Sequence, residues 1–199
     1  MGTEKYLKEV EALFRKSPVV TYQSIERVIK HKKKVKQYVK LFIHLLLKKR
    51  KIKRLAKGCY TSRDEPSLAV FCFQPAYLGL QDALSFHHLW EQETIPVVIT
   101  SRKVRPGIRE VLGKNILIRR IKKKYLFGIE YQPFGPMALP YSDLEKTFLD
   151  IIYFKEPLSE NALVEFKKRM NRKKISFYLK KYPQKFGKRI ISYLNTSKY

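Results

Sequence analysis

The sequence predicts an α+β protein in two parts with a helical extension at its end. Three observations carry that reading. Residues 4–50 repeat their apolar positions at helical spacing. Residues 51–61 switch to alternating charged and apolar side chains, the period of a half-exposed strand. From Ser67 the charge thins out, short β-branched runs appear between helical stretches, and residues 159–199 are helical again.

The first helix is expected over 4–16, with Tyr6, Leu7, Val10, Leu13 and Phe14 on one face and Ser17-Pro18 as its stop. Val19 and Val20 form an extended entry. Thr21 is placed to N-cap a second helix that turns Tyr22, Ile25, Val28 and Ile29 inward. Ser24 stands where Glu or Gln would complete a capping box. After a basic turn, a third helix runs from Lys33 to Arg50 with Val35, Tyr38, Val39, Phe42, Leu45 and Leu46 inward. Leu41, Ile43 and Leu47 widen that stripe, so this helix is expected to pack against a further element as well. Its opposite face carries Lys33, Gln37, Lys40 and His44, with Lys34 and Lys36 beside them. Lys51 to Leu55 then reads as a strand, Ala56-Lys57-Gly58 as a turn in which Gly58 supplies a positive φ, and Cys59 to Thr61 as the returning strand, ended by Asp64 and Pro66.

Helix, helix, basic helix and basic hairpin in this order is the plan of a winged helix-turn-helix. In that plan the third helix enters the major groove, where Lys reaches phosphates and guanine edges and Gln addresses adenine. The hairpin lays Lys53, Arg54 and Lys57 on the flanking backbone. The candidate DNA contacts are therefore Thr21, Tyr22, Lys33, Lys34, Lys36, Gln37, Lys40, His44, Lys53, Arg54 and Lys57. For the third helix taken alone, a merely solvated face is an equally good account of the same residues.

Residues 67–199 form the second part, a small mixed α/β domain with a largely antiparallel sheet. A short helix is expected from Tyr77 to near His88, strands at 94–100, 115–121 and 125–131, and a helix over 141–154. Ser142 is the expected N-cap of that helix, with Glu145 closing a capping box. Glu145 is then expected as a cap, Lys146 as an exposed side chain and Asp150 as a pairing one. Beyond Ser159, another N-cap, come Leu163, Phe166 and Met170, then Ile175, Tyr178 and Leu179, then a break at Tyr182-Pro183, then Phe186, Ile190, Ile191 and Leu194, all inward. A second basic face, Lys167, Lys168, Arg172, Lys173, Lys174, Lys180 and Lys181, is expected on these helices.

Charge points to a polyanionic partner. The chain holds 43 Lys and Arg against 17 Asp and Glu, a net +26 on 199 residues. Residues 1–66 hold 19 basic and 6 acidic groups, 67–155 hold 12 and 8, and 156–199 hold 12 and 3. Such a chain repels itself, and a phosphate backbone is the usual beneficiary. A Lys-rich heat-stable surface would raise Glu alongside Lys, which does not happen here. A membrane-surface role is the rival, but the C-terminal helices are short and broken by Pro183. Apolar runs such as Leu41 to Leu47 are too short to span a bilayer, and the first residues lack a secretory apolar stretch, so a cytoplasmic location and no membrane partner are expected. Cys59 and Cys72 form no disulfide framework, and His31, His44, His87 and His88 show no metal-ligand spacing. No metal, cofactor or catalytic residue is expected.

Three stretches resemble the AbiEi-type antitoxins, regulators of type IV abortive-infection toxin–antitoxin pairs. Leu55 to Tyr60 resembles that family's L-x-x-G-x-Y hairpin. Tyr77-Leu78 through Ala83-Leu84 and His87 to Leu89 resembles its Y-x-S-x-x-x-A-L-x-x-H-G-L stretch, with Gly79 in place of Ser and His88 in place of Gly. Leu144 to Asp150 resembles its P-E-K-A-L-L-D helix, with Leu144 in place of Pro. The resemblance covers about residues 15–155. It implies a repressor that binds inverted repeats of duplex DNA in its own promoter and counteracts a nucleotidyltransferase toxin. Residues 1–66 support DNA binding independently, whereas toxin neutralisation rests on the resemblance alone. An orphan winged-helix regulator and a non-specific nucleic-acid binder are the alternatives. A nuclease would need an acidic residue on one strand and Glu-x-Lys on the next, and the expected strands offer no such pair. The toxin's own Gly-Ser and paired-Asp signature is also absent, so an enzyme is not expected.

Overall fold

The computed structural model describes residues 6–29, 35–90, 92–135 and 137–195. Helix α1 (Leu7–Lys16) ends at Ser17, strand β1 (Val20–Thr21) follows, and helix α2 (Tyr22–Ile29) begins directly after it. Thr21 caps α2 as expected, its Oγ1 accepting from the Ser24 amide at 3.1 Å. The basic turn, with His31, Lys33 and Lys34, lies outside the described residues. Helix α3 (Val35–Lys48) leads to a hairpin of β2 (Lys53–Ala56) and β3 (Cys59–Thr61). Gly58 takes φ +77° at its turn, a backbone shape open to glycine at little cost. β3 lies between β1 and β2 and runs antiparallel to both. Val10, Ile25, Ile29, Val39 and Phe42 fill the core between these helices and the small sheet.

The second sheet has the order β6-β7-β5-β4-β9-β8. Its strands are β4 (Ala76–Leu78), β5 (Val97–Thr100), β6 (Gly107–Val111), β7 (Lys114–Arg120), β8 (Ile129–Phe134) and β9 (Met137–Ser142). Three pairings are antiparallel, while β5 with β7 and β4 with β9 are parallel, so the sheet is mixed, with antiparallel pairing in the majority. Helix α4 (Gln81–Phe86) starts four residues later than expected, because Tyr77 and Leu78 belong to central strand β4. An apolar run of that length fits a buried strand as well as a helix, and the pairing with β5 and β9 decides it. The strand expected from Tyr125 begins at Ile129 instead. Residues Lys123–Tyr125 make a single 3-10 turn that packs the Tyr125 ring face to face with Tyr182 at 4.3 Å.

Helix α5 (Leu144–Phe154) lies on one face of this sheet. Its N-cap is Asp143, whose Oδ1 accepts from the Lys146 amide at 2.7 Å, and not Ser142. Ser142 is taken by β9, where it pairs with Ile129 of β8. The C-terminal helices α6 (Glu160–Arg169), α7 (Arg172–Leu179) and α8 (Gln184–Asn195) cover α5, sending Phe166, Ile175 and Ile190 into the same core as Phe148 and Tyr77. Ser159 caps α6 at the Ala162 amide, 3.2 Å. Ile191, expected inward, is 50% exposed, and Leu41, expected to widen the apolar stripe of α3, is 56% exposed, each lying one residue beyond the buried row of its helix.

The opposite face of the sheet is covered by a buried 3-10 segment, Pro66–Phe73. Leu68, Val70, Val98, Ile116, Ile118 and Leu139 form that core, and Leu55 of the hairpin is buried among them. The hairpin is thereby seated on the second sheet while its turn stays at the surface.

Candidate nucleic-acid interface

Between α3 and the hairpin runs a surface groove of about 340 Å³. Lys40, Ile43, His44 and Leu47 line it from α3, Arg54, Lys57, Gly58 and Tyr60 from the hairpin, and Tyr22 from the start of α2. Gln37, Lys40 and His44 are exposed and share one face at spacings of three and four, with Lys36 beside them. The groove is held in shape by backbone links. The Tyr22 amide donates to the Gly58 carbonyl at 2.8 Å, tying the start of α2 to the hairpin turn. The Tyr22 hydroxyl donates to the Lys36 carbonyl at 3.3 Å, tying it to α3. The Arg54 guanidinium lies 6.0 Å from the centre of the Tyr60 ring.

Of the candidate contacts, Tyr22, Lys40, His44, Arg54 and Lys57 come together in this groove, and Lys36 and Gln37 extend its α3 wall. Thr21 is exposed and serves as the cap of α2, and it is not among the groove residues. Lys53 is ion-paired with Asp64 and is not among the groove residues. Lys33 and Lys34 lie outside the described residues. Tyr60, expected only as part of a returning strand, adds an aromatic wall to the groove.

The second basic face divides. Arg172, Lys173 and Lys180 line a shallow groove with Ser176 and Phe177 on the outer side of α7. Lys174 turns the other way, 3.2 Å from Asp143, 3.1 Å from Glu145 and 3.6 Å from Glu130. Burial pulls its pKa down, but the bonds to Glu145 and Asp143 outweigh this and hold the ammonium above its ordinary value. Lys168 pairs with Glu165 at 2.9 Å, and Lys181 stands 4.3 Å from the Phe127 ring centre. Lys167 lies on α6 with Lys168.

The largest departure from expectation is Lys146. It is fully buried rather than exposed, and it pairs with Asp150, also fully buried. The Tyr77 hydroxyl donates to Asp150 Oδ2 at 2.6 Å, and the Lys146 ammonium lies 5.3 Å from the Tyr77 ring centre and 5.2 Å from that of Phe127. Burial lowers the Lys146 pKa and raises that of Asp150, each against the pull of the other's charge. Asp143 extends the cluster, accepting from the Tyr178 hydroxyl at 2.6 Å. Glu145 is no capping-box partner of its own helix, since its carboxylate accepts from the Asn171 amide at 2.7 Å and so fastens α7 to α5. Gly128 permits this packing. At φ +65° a Cβ there would stand 2.8 Å from Lys146 Cβ and 2.9 Å from Asp143 Oδ2. The cluster is a set of paired charges joining α5, β4 and α7.

Cys59 and Cys72 sit side by side where the hairpin meets the 3-10 segment. A hydrogen bond from the Cys72 thiol stabilises the Cys59 thiolate and lowers its pKa to about 7, and the same bond together with burial raises Cys72. Among the described residues, no group of three or more His, Cys, Asp or Glu is placed to hold a metal ion, and no helix is long and apolar enough to cross a membrane.

No family model and no curated protein sequence matches this chain. Among solved structures, its fold is similar to that of the RV2827C protein from Mycobacterium tuberculosis, with a TM-score of 0.56 and 14% identity over 96% of this chain and 76% of that one. The likeness is one of fold alone.

Proposed function

We infer that residues 6–61 are a winged helix-turn-helix and that this chain is a sequence-specific DNA-binding repressor. The observation that carries this reading is the groove in which the polar face of α3 meets the basic hairpin turn. One helix face holds Gln37, Lys40 and His44, and a β-hairpin with Arg54 on its strand and Lys57 at its turn stands at its flank. A duplex needs both, with side chains in the major groove and cations on the adjoining phosphates. Two bonds from Tyr22, to Gly58 and to Lys36, fix the relation of helix and turn before any DNA arrives. The resemblance of Leu55–Tyr60, Tyr77–Leu89 and Leu144–Asp150 to AbiEi-type antitoxins supports a narrower role, repression of its own promoter together with neutralisation of a nucleotidyltransferase toxin.

The test is binding to the chain's own upstream promoter fragment against a scrambled duplex at near-physiological salt. A preference of about a thousandfold is expected of a specific regulator. Neutralising Lys40, Arg54 and Lys57 together should flatten the slope of log affinity against log salt by roughly 0.9 for each phosphate that is no longer neutralised. Gln37→Ala should instead narrow the gap between promoter and scrambled DNA, by about 1–3 kcal/mol if Gln37 reads a base. Equal binding to both duplexes by the unaltered protein would refute sequence-specific repression and leave a general polyanion binder.

A further inference from the structure

The outer face of α7 is shaped for a different ligand from the α3 groove. Ile175, Tyr178 and Leu179 face the core, which leaves Arg172, Lys173, Ser176, Phe177 and Lys180 on the solvent side around one shallow groove. Phe177 is 56% exposed. Lys173 stands one helical turn before it and Lys180 nearly one turn after, so the ring is bracketed by cations along a single ridge. No acidic residue follows Glu165 in the sequence, and the carboxylates nearest α7 are already engaged on its inner side by Lys174 and the Asn171 amide. The face is thus cationic with one bare aromatic ring at its centre.

We propose that this face binds single-stranded nucleic acid, with an unpaired base stacked on Phe177 and the flanking phosphates on Arg172, Lys173 and Lys180. Base stacking on an exposed aromatic ring beside a cationic track is how sequence-tolerant single-strand binding is achieved. A duplex offers this ring nothing, because paired bases are already stacked on each other. A membrane surface fits less well. An interfacial helix presents a broad apolar face, whereas α7 has eight residues and turns Ile175, Tyr178 and Leu179 into the protein. The proposal is independent of the repressor reading, since it uses neither α3 nor the hairpin.

Two probes on the full-length protein separate the two readings: fluorescently labelled oligo-dT and the promoter duplex, each titrated by anisotropy. Phe177→Ala is expected to weaken oligo-dT binding by roughly 5- to 150-fold, the range for removal of one base stack, and to leave duplex binding within about twofold of the unaltered protein. Phe177→Trp should retain oligo-dT binding. Lys40→Gln/Lys57→Gln should show the reverse pattern, losing the duplex and keeping oligo-dT. Oligo-U in place of oligo-dT distinguishes an RNA from a DNA ligand. The proposal is overturned if Phe177→Ala binds oligo-dT as tightly as the unaltered protein. It also fails if an abasic phosphate chain of equal length competes as well as oligo-dT, or if the face captures phosphatidylserine vesicles and no oligonucleotide. Should the duplex show no promoter preference while oligo-dT binding depends on Phe177, the repressor reading falls and this one stands.

Discussion

Lys146→Met should be among the most damaging single changes in this chain, and the damage should depend on pH. The side chain lies at 0% exposure against Asp150, also at 0%, with Tyr77 on the other carboxylate oxygen. At an effective dielectric of about 20, two unit charges about 4 Å apart attract by about 4 kcal/mol. Removing one member of such a pair leaves the other buried and unpaired, at a cost of about 3–5 kcal/mol. That is a large share of the roughly 5–15 kcal/mol by which a folded protein is stable. In the variant, burial raises Asp150 with no cation opposing it. A carboxyl whose folded pKa lies above its unfolded value contributes stability that is full below the unfolded value and is lost as pH rises through the folded one. The deficit of Lys146→Met should therefore shrink from pH 7.5 to pH 5. Urea unfolding at both pH values measures it. The triple change Lys146→Met, Asp150→Leu, Tyr77→Phe removes both charges and the Tyr77 hydroxyl at once and should cost far less than Lys146→Met alone. A single-variant deficit under about 1 kcal/mol, or one unchanged between the two pH values, would refute the account of Lys146 as a buried charge held by Asp150.

Two further outcomes follow from other buried groups. Asp82 is raised to about 7, chiefly by burial, with the Val97 amide donating to its carboxylate at 3.3 Å. Its contribution to stability is full below its unfolded pKa of about 4 and is lost as pH rises through about 7. Asp82→Asn has no proton to lose, so its unfolding midpoint should overtake that of the unaltered protein between pH 5 and pH 8. Parallel midpoints across that range would count against it. Cys59, lowered to about 7 by the Cys72 thiol, should be alkylated by iodoacetamide with a rate that rises through that pH, and Cys72→Ser should move the rise upward. Mass spectrometry of the modified peptide reads both, and a rise centred near 9 in the unaltered protein would show that the two thiols are not bonded.

What the sequence disclosed was what local chemistry decides. Thr21 and Ser159 cap the helices they precede, and Gly58 turns the hairpin, because each of these needs only its neighbours within a few residues. The spacing of Ile25, Ile29, Val39 and Phe42 likewise named the N-terminal core. The failures all depend on partners far away in the chain. Ser142 and Asp143 are equally good caps in isolation, and β9 settles the choice by taking Ser142 into its ladder. Tyr77-Leu78 is a strand because β5 and β9 lie beside it, one of them parallel and reached by a long connection. Pro140 hides β9, since a proline inside a short apolar run argues against a central strand. Lys146 reads as a surface residue in any local window, and only the approach of Tyr77, Phe127 and the C-terminal helices encloses it. Phe177 was within reach. Once Ile175, Tyr178 and Leu179 define the inner stripe of α7, helical geometry sends Phe177 outward among the lysines.

The placement of the acidic residues explains how so basic a chain divides its surface. Residues 67–155 are close to neutral by count, with 12 basic and 8 acidic groups. Yet several of those acids face inward or are paired. Asp150 is held by Lys146, Asp143 and Glu145 share Lys174, and Asp82 is buried beside the Val97 amide. Glu156, just beyond, binds Arg119 at 2.5 Å. Four of those eight acids are thus withdrawn from solvent, and three of them, Asp143, Glu145 and Asp150, fasten α5 to the sheet and to α7. The basic side chains on α3, the hairpin and outer α7 stay at the surface, with Lys40, Arg54 and Lys57 on one groove and Arg172, Lys173 and Lys180 on another. Pairing inside the second domain therefore sharpens the positive field outside it. The two grooves also differ in their aromatic side chains, Tyr22 and Tyr60 in one and Phe177 in the other.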